Sequence, residues 1–237
     1  MRGVLRYFIG IALAVCIITE ASAQKSGLSV SMGGASFKME DMKYLMDNIL
    51  DSYPAEGAII SSFPPYYSGS ANFIRQIYPH LRAGAGYTFT STGARANYTD
   101  YSGDIDTDMS ALSHRLGASV SYSLITSDRL DLSLYGRLDA NYTTLDITTS
   151  INVMGLSNSI NHKYSSISPN GSAGLEFLYK FKESAIGIEG GYLVDLPGKL
   201  KNRETGNELL DPNDSQRALT SDWTGWRVGI KGILWLK

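Results

Sequence analysis

From His114 to Leu124 every second residue is apolar or aromatic, and the residues between them are small, polar or charged. His114, Leu116, Ala118, Val120, Tyr122 and Leu124 form one set; Arg115, Gly117, Ser119, Ser121 and Ser123 form the other. A period of two is that of a β-strand, whose successive side chains point to opposite faces, here one oily and one wet.

The alternation recurs through most of the chain. Leu28, Val30 and Met32 alternate with Ser29, Ser31 and Gly33 within Gly27–Phe37. His80–Thr90 sets Leu81, Ala83, Ala85, Tyr87 and Phe89 against Arg82, Gly84, Gly86 and Thr88, and Ser91-Thr92-Gly93 reads as a turn into a weaker strand, Ala94–Tyr101. After Thr126-Ser127-Asp128, Leu130, Leu132, Leu134, Leu138 and Tyr142 oppose Asp131, Ser133, Arg137, Asp139 and Asn141. Ile167–Phe181 and the stretch from Ile186 to Val194 form a further pair about Lys182-Glu183-Ser184, and Trp226–Leu236 closes the pattern.

The connections between these segments read alternately long and short. Lys38–Pro79, Gly103–Ser110, Ile151–Lys163 and Gly198–Asp222 are long; Ser91–Gly93, Thr126–Arg129 and Lys182–Ser184 are short. Even strand number with short turns at one rim and long loops at the other is the arrangement of bacterial membrane barrels. The expectation is an all-β fold, an eight-stranded antiparallel transmembrane barrel with a short helix in its first long loop.

The start of the chain points to export. Arg2 and Arg6 precede an apolar stretch, Tyr7–Ile18, and Ala21-Ser22-Ala23 is a small-residue cleavage site before Gln24. The expected organisation is a signal peptide at 1–23 and one barrel domain at 24–237, with 38–79 a helical outer-loop insertion. Cys16 is the only cysteine, so the mature chain offers neither a disulfide nor a thiolate site. Net charge is −2 and no basic cluster stands out, which argues against nucleic acid as a partner. Mean hydropathy is only −0.11. Membrane barrels escape such averages because half of each strand faces a polar lumen.

Which solvent each face meets follows from composition. The charged face is rich in Gly and Ser, which suits the crowded interior of about eight strands, and the apolar face then meets lipid. Tyr87, Phe89, Tyr122, Tyr179, Phe181 and Trp235 fall near one set of strand ends, and Tyr98, Tyr142, Tyr164, Trp223 and Trp226 near the other. Two aromatic bands fit two membrane interfaces. With these features the chain resembles the small outer-membrane β-barrel superfamily, the OmpA transmembrane domain and OmpX-like proteins, over most of Gly27–Lys237. The resemblance implies residence in the cell outer membrane of a Gram-negative bacterium, insertion by the barrel-assembly machinery, a lipid environment and a monomeric state. It also implies a final strand closing on an aromatic residue, which Leu234-Trp235-Leu236 approach before Lys237.

The inward set carries Arg82, Arg95, Arg115, Arg137, Lys180, Arg227 and Lys231 facing Asp131, Asp139, Glu176 and Glu189. This reads as a network of paired charges filling a narrow lumen, since an isolated buried charge is costly; the alternative is an anion-preferring channel lining. In the first long loop Met39, Met42, Leu45, Met46, Ile49 and Leu50 recur at helical spacing, with Tyr53 next in register, and Pro54 ends the run. Their apolar face suits a lid on the barrel mouth, or a surface for an amphiphile or partner. Asp104, Asp106 and Asp108 resemble the start of a calcium loop, but Met109 and Arg115 occupy the positions needing glycine and glutamate. Thr143–Ser165 still alternates weakly and predicts a hairpin projecting beyond the membrane, with an edge suited to adhesion.

Enzymatic chemistry has little support. The histidines are His80, His114 and His162, and only His162, beside Ser165 and Ser166, suggests a lipid hydrolase or acyltransferase. No phosphate loop, metal-ligand cluster, catalytic constellation or cofactor fingerprint is present. The expected role is structural or surface-binding and non-enzymatic.

Overall fold

In the computed structural model the described residues are 25–53, 58–101, 103–153 and 156–236. The expected signal peptide, residues 1–23, and the terminal Lys237 lie outside them. Eight strands build the barrel: β1 Ser26–Ala35, β2 Tyr66–Tyr78, β3 Leu81–Asp100, β4 Gly103–Thr126, β5 Leu130–Val153, β6 Leu156–Lys180, β7 Ser184–Asp195 and β8 Gly225–Leu236. Each pairs antiparallel with the next. β8 closes on β1 from Ser26↔Leu236 to Ala35↔Arg227, so the barrel wall has no seam. Closure is what hydrocarbon demands, because an unpaired backbone group there costs several kcal/mol.

The rim carrying Lys25 and Leu236, here the lower rim, has the short turns at 79–80, 127–129 and 181–183. At the upper rim the β3–β4 ladder runs to Asp100↔Gly103 and the β5–β6 ladder to Val153↔Leu156, and two long excursions, one between β1 and β2 and one between β7 and β8, complete the connections. The first excursion contains helix α1, Glu40–Asp51, and a short strand, Ala58–Ser62, that pairs with the upper part of β3. The second contains Lys201–Asn202, which pairs with β6, and a small hairpin of Leu210–Asp211 with Asp214–Ala218.

The eight-stranded barrel holds, but two of the expected boundaries do not. Ser91-Thr92-Gly93 is not a turn: β3 runs through it, pairing with β4 at Ser91↔Leu112, Thr92↔Ala111 and Gly93↔Ser110. Residues 66–78, expected inside the helical insertion at 38–79, form the barrel strand β2. One strand divided and one missed leave the count at eight. Gly103–Ser110 and Ile151–Lys163, expected as long loops, mostly continue β4, β5 and β6, so loop length does not alternate as the sequence suggested.

A strand of about 9–11 residues crosses a bilayer. β1, β2, β7 and β8 have 10 to 13 residues, whereas β3 to β6 have 20 to 25. The excess projects above the apolar belt as a four-stranded wall. On β4 the lipid-facing run ends at His114, and the eleven residues Gly103–Ser113 continue for about 35 Å along the strand. Inside and outside differ sharply: Leu138 is 68% exposed and its neighbour Asp139 3%. Leu116, Val120, Val30, Ile188, Val228 and Ile230 share the exterior with Leu138. An apolar surface encircling the molecule is far larger than a water-soluble monomer tolerates; it is the lipid face of a transmembrane barrel.

Candidate functional site: a filled lumen and a projecting wall

Period-two geometry sends Arg82, Arg115, Asp131, Arg137, Asp139, Glu176, Glu189, Arg227 and Lys231 into the lumen. Glu176 is their hub. Its Oε1 accepts from Arg82 Nη2 at 2.6 Å and its Oε2 from Lys231 Nζ at 2.7 Å. Lys231 also pairs with Glu189 at 3.1 Å, and Arg82 lies 3.8 Å from Asp131. Arg82 further donates to Ser121 and Ser133. Five charges from five strands thus meet at the lower half of the lumen, each with an opposite partner, as burial requires.

A second group lies higher. Arg137 donates from Nε to Asp139 Oδ1 at 2.6 Å, from Nη2 to the Gly86 carbonyl at 2.9 Å, and from Nη1 to Asn72. Gly86 and Gly117 are cross-strand partners, and their missing side chains make the room. A Cβ at Gly86 would sit 2.3 Å from Asn72 Oδ1, and one at Gly117 2.2 Å from Asp139 Oδ1. Arg227 caps carbonyls instead of a carboxylate, donating to Ser36 at 2.6 Å and Trp223 at 2.7 Å, with Phe37 beneath its guanidinium.

Two expected members stand apart. Arg95 is on the outer surface, its side chain 55% exposed and paired with Asp108 across β3 and β4. Because β3 continues through Ser91–Gly93, even-numbered residues stay inward and Arg95 cannot face the lumen. Lys180 has inward parity but sits at the lower rim, donating to Thr126 at 2.9 Å.

Apolar layers lie above and below the charges. Ile74, Leu178, Ala185 and Ile233 pack at the lower end with Trp235, which points inward and does not join an aromatic band. Above, α1 lays Met42, Leu45 and Met46 into a buried cluster with Met39, Phe37, Leu145, Leu193, Leu219 and Trp223, while Ile49 and Leu50 pack at its margin. Trp223 is 1% exposed, donates to Thr143 at 2.9 Å and meets Phe37 edge-on; it belongs to this cluster rather than to a membrane interface. Tyr87 and Phe89 change rim: they flank His114 at the top of the lipid face, with Tyr87 Oη 2.6 Å from His114 Nδ1. Sequence reasoning also missed the clamp holding the lid. Asp41 accepts from Thr220 N at 2.9 Å, from Thr220 Oγ1 at 2.8 Å and from Arg217, which reaches Asp211 at 3.0 Å as well.

On the projecting wall, Asp104, Asp106 and Asp108 lie along one face of a strand, not in a loop. Each has a side-chain partner, Asn152, Asn97 and Arg95 respectively. No cluster of three or more metal-ligating side chains occurs among the described residues. His162 and Ser165 lie on opposite faces of β6, and His162 and Ser166 are four residues apart, about 13 Å along a strand. The strand therefore keeps them from forming a nucleophile–base pair.

The edge of β6 is the wall's open side. Residues 170–180 pair with β7 and Tyr164–Ser165 with Lys201–Asn202, and Arg203 N donates to the Lys163 carbonyl at 2.9 Å. Over Leu156–Asn161 the described partner is β5 alone. Ser157, Ser159 and Asn161 share the parity of Lys163 and so direct their N–H and C=O groups away from the barrel.

In structure the chain is similar to Ail, the attachment invasion locus protein of Yersinia pestis, at 15% sequence identity and a TM-score of 0.41, covering 90% of this chain and 99% of that one. It is similar to the Neisserial surface protein A (NspA) at 14% identity and 0.41, covering 91% and 99%. It is also similar to the outer membrane protease OmpT from Escherichia coli at 10% identity and 0.31, covering 92% and 97%. No protein-family model and no curated protein matches the chain. The architecture itself is that of a small, eight-stranded transmembrane β-barrel with a filled lumen.

Proposed function

We propose that this chain is an outer-membrane barrel that acts as a surface-binding protein, with neither an enzymatic nor a conducting role. The observation carrying this reading is the edge of β6 at Leu156–Asn161, whose described partner is β5 alone, held clear of the lipid face on a four-stranded wall. An exposed edge is a template for another strand, and natural proteins normally cover one that serves no purpose. Strand addition takes affinity from backbone hydrogen bonds and specificity from alternate side chains. The two faces next to the edge differ: Leu156 and Ile160 lie on one, Ser157, Ser159 and Asn161 on the other. The favoured partner is an extended peptide with alternating apolar and polar residues.

The charge network and the apolar layers support the non-conducting part of the proposal, since they fill the path an ion would take. Selecting displayed decapeptides on the folded protein in detergent tests the binding part. Enrichment of alternating sequences, lost when Asn161→Pro removes an edge donor, is the expected result. A selection that shows no alternation, or that ignores the proline, defeats the reading. Steady single-channel openings in a planar bilayer would defeat the claim of a closed lumen.

A further inference from the structure

The lumen charges are not evenly matched. Arg82 and Lys231 share Glu176, Asp131 and Glu189, and Arg137 has Asp139. Arg115 and Arg227 are left over. Among the described residues no carboxylate reaches ion-pair distance from either; Arg115 is 5% exposed, and its one described hydrogen bond is Nη2 to Thr90 Oγ1 at 3.2 Å. The Nε atoms of both are buried without a partner. Of the acids that act on Arg115, Asp139 gives its Oδ1 to Arg137 at 2.6 Å, and Asp195 is engaged by Ser168 at 2.9 Å and by Trp223 N at 3.2 Å.

Both guanidinium groups line a lumen cavity of about 110 Å³ with Tyr135, Ser119, Ser172 and other hydroxyl-bearing side chains; Arg82, Arg137 and Lys231 also line it, as do the carboxylates of Glu176 and Glu189, which are already paired with Arg82 and Lys231. A water needs only about 10–15 Å³ of such space, so there is room for a five-atom ion. A guanidinium offers a planar fork of donors matched to two oxygens of one anion, and a buried one without a counter-ion is strongly disfavoured. Hydroxyl groups that rotate to donate complete such a shell.

We propose that this cavity is a binding site for one tetrahedral inorganic oxyanion, of the sulfate or phosphate type, held by the Arg115 guanidinium with help from Arg227 and the surrounding hydroxyl groups. The anion is a structural counter-ion of the barrel. It occupies the upper half of the polar lumen, under the apolar plug, and is enclosed when the barrel closes.

Because the mouth is covered, the test loads the ion during folding. The chain is refolded from urea into detergent with radiolabelled sulfate, or with labelled inorganic phosphate, at ionic strength fixed by a bulky organic anion, and then dialysed. Folded barrel is expected to retain about one anion per chain. Arg115→Gln should bind at least about tenfold more weakly, which corresponds to roughly 1.4 kcal/mol, while the surface variant Lys199→Gln binds as the parent does. A barrel that retains no anion, or equal retention by Arg115→Gln, overturns the proposal. Should Arg115→Gln not fold, Ser119→Asp serves instead, since it supplies a carboxylate inside the same cavity. That variant is expected to fold and to exclude the label, and label retained at the parental level overturns the assignment. Chloride displacing the label as readily as unlabelled sulfate would overturn the tetrahedral class.

Discussion

Arg82 and Glu176 stand 94 residues apart in sequence and 2.6 Å apart across the lumen. Glu176 also holds Lys231, so one carboxylate neutralises two cations from opposite walls. Glu176→Gln keeps the shape and removes the charge. Breaking a buried pair costs about 3–5 kcal/mol, and the lower end applies here because Arg82 retains Asp131 and Lys231 retains Glu189. Urea titration of the refolded barrel should show the midpoint falling, and the added substitution Lys231→Met should recover part of the loss. An unchanged midpoint for Glu176→Gln would mean that the network does not hold the walls together.

Glycine content in the lumen leads to a second, position-specific expectation. Gly117→Ala would bring a methyl group to within 2.2 Å of Asp139 Oδ1 and 2.1 Å of the Leu138 carbonyl, displacing the acid that receives Arg137. Overpacking of this kind costs about 1–3 kcal/mol. Gly136→Ala is the internal control, for nothing lies within 4 Å of its added Cβ, and its effect should stay within about 0.5 kcal/mol. Equal midpoints for the two variants would show that the lumen relaxes freely around Gly117.

Face assignment was readable from residue order where a strand was recognised, because alternation follows from covalent geometry. Arg82, Arg137, Glu176 and Lys231 all read as inward on that basis. Arg95 shows where alternation fails: a Ser-Thr-Gly triplet has the composition of a turn, a turn resets parity, and β3 runs straight through it. Residues 66–78 were opaque because Gly69 and Ala71 outside differ little in hydropathy from Ser68 and Ser70 inside. Pairings across the lumen, such as Arg82 with Glu176, depend on strand order and shear, which single-strand periodicity does not encode. The burial of Trp223 and the clamp from Asp41 to Thr220 depend on how two long excursions fold over one mouth, and neither leaves a periodic trace.

The clamp nevertheless makes a prediction. Asp41 satisfies two donors of Thr220 and one of Arg217, tying α1 to the second excursion. The barrel ladder does not include these bonds, so Asp41→Ala should loosen the mouth without unfolding the wall. A loss of about 1–2 kcal/mol raises the open population roughly 5–30-fold. Limited proteolysis within 196–224 should accelerate accordingly, with Trp223 emission shifting to the red. Gel migration of the unheated barrel should not change. Proteolysis at the parental rate would show that the apolar contacts of Met42, Met46 and Trp223 hold the lid unaided.

The membrane orientation of the whole molecule can be tested at two neighbouring positions. Leu138 faces outward and Asp139 inward on β5, and Gly136 and Ala140 flank Leu138 on the exterior. The sole cysteine of the chain, Cys16, lies within the expected signal segment, so single-cysteine labelling of the remainder is clean. A fluorophore at Leu138→Cys in a lipid bilayer should be quenched by a nitroxide carried on an acyl chain and ignored by iodide. Ser119→Cys lines the lumen cavity and, in the folded barrel, should resist the bulky maleimide that labels Leu138→Cys. A fluorophore at Leu138→Cys quenched by iodide alone would place that face in water, and the strands would then close around an oily interior instead of a charged one.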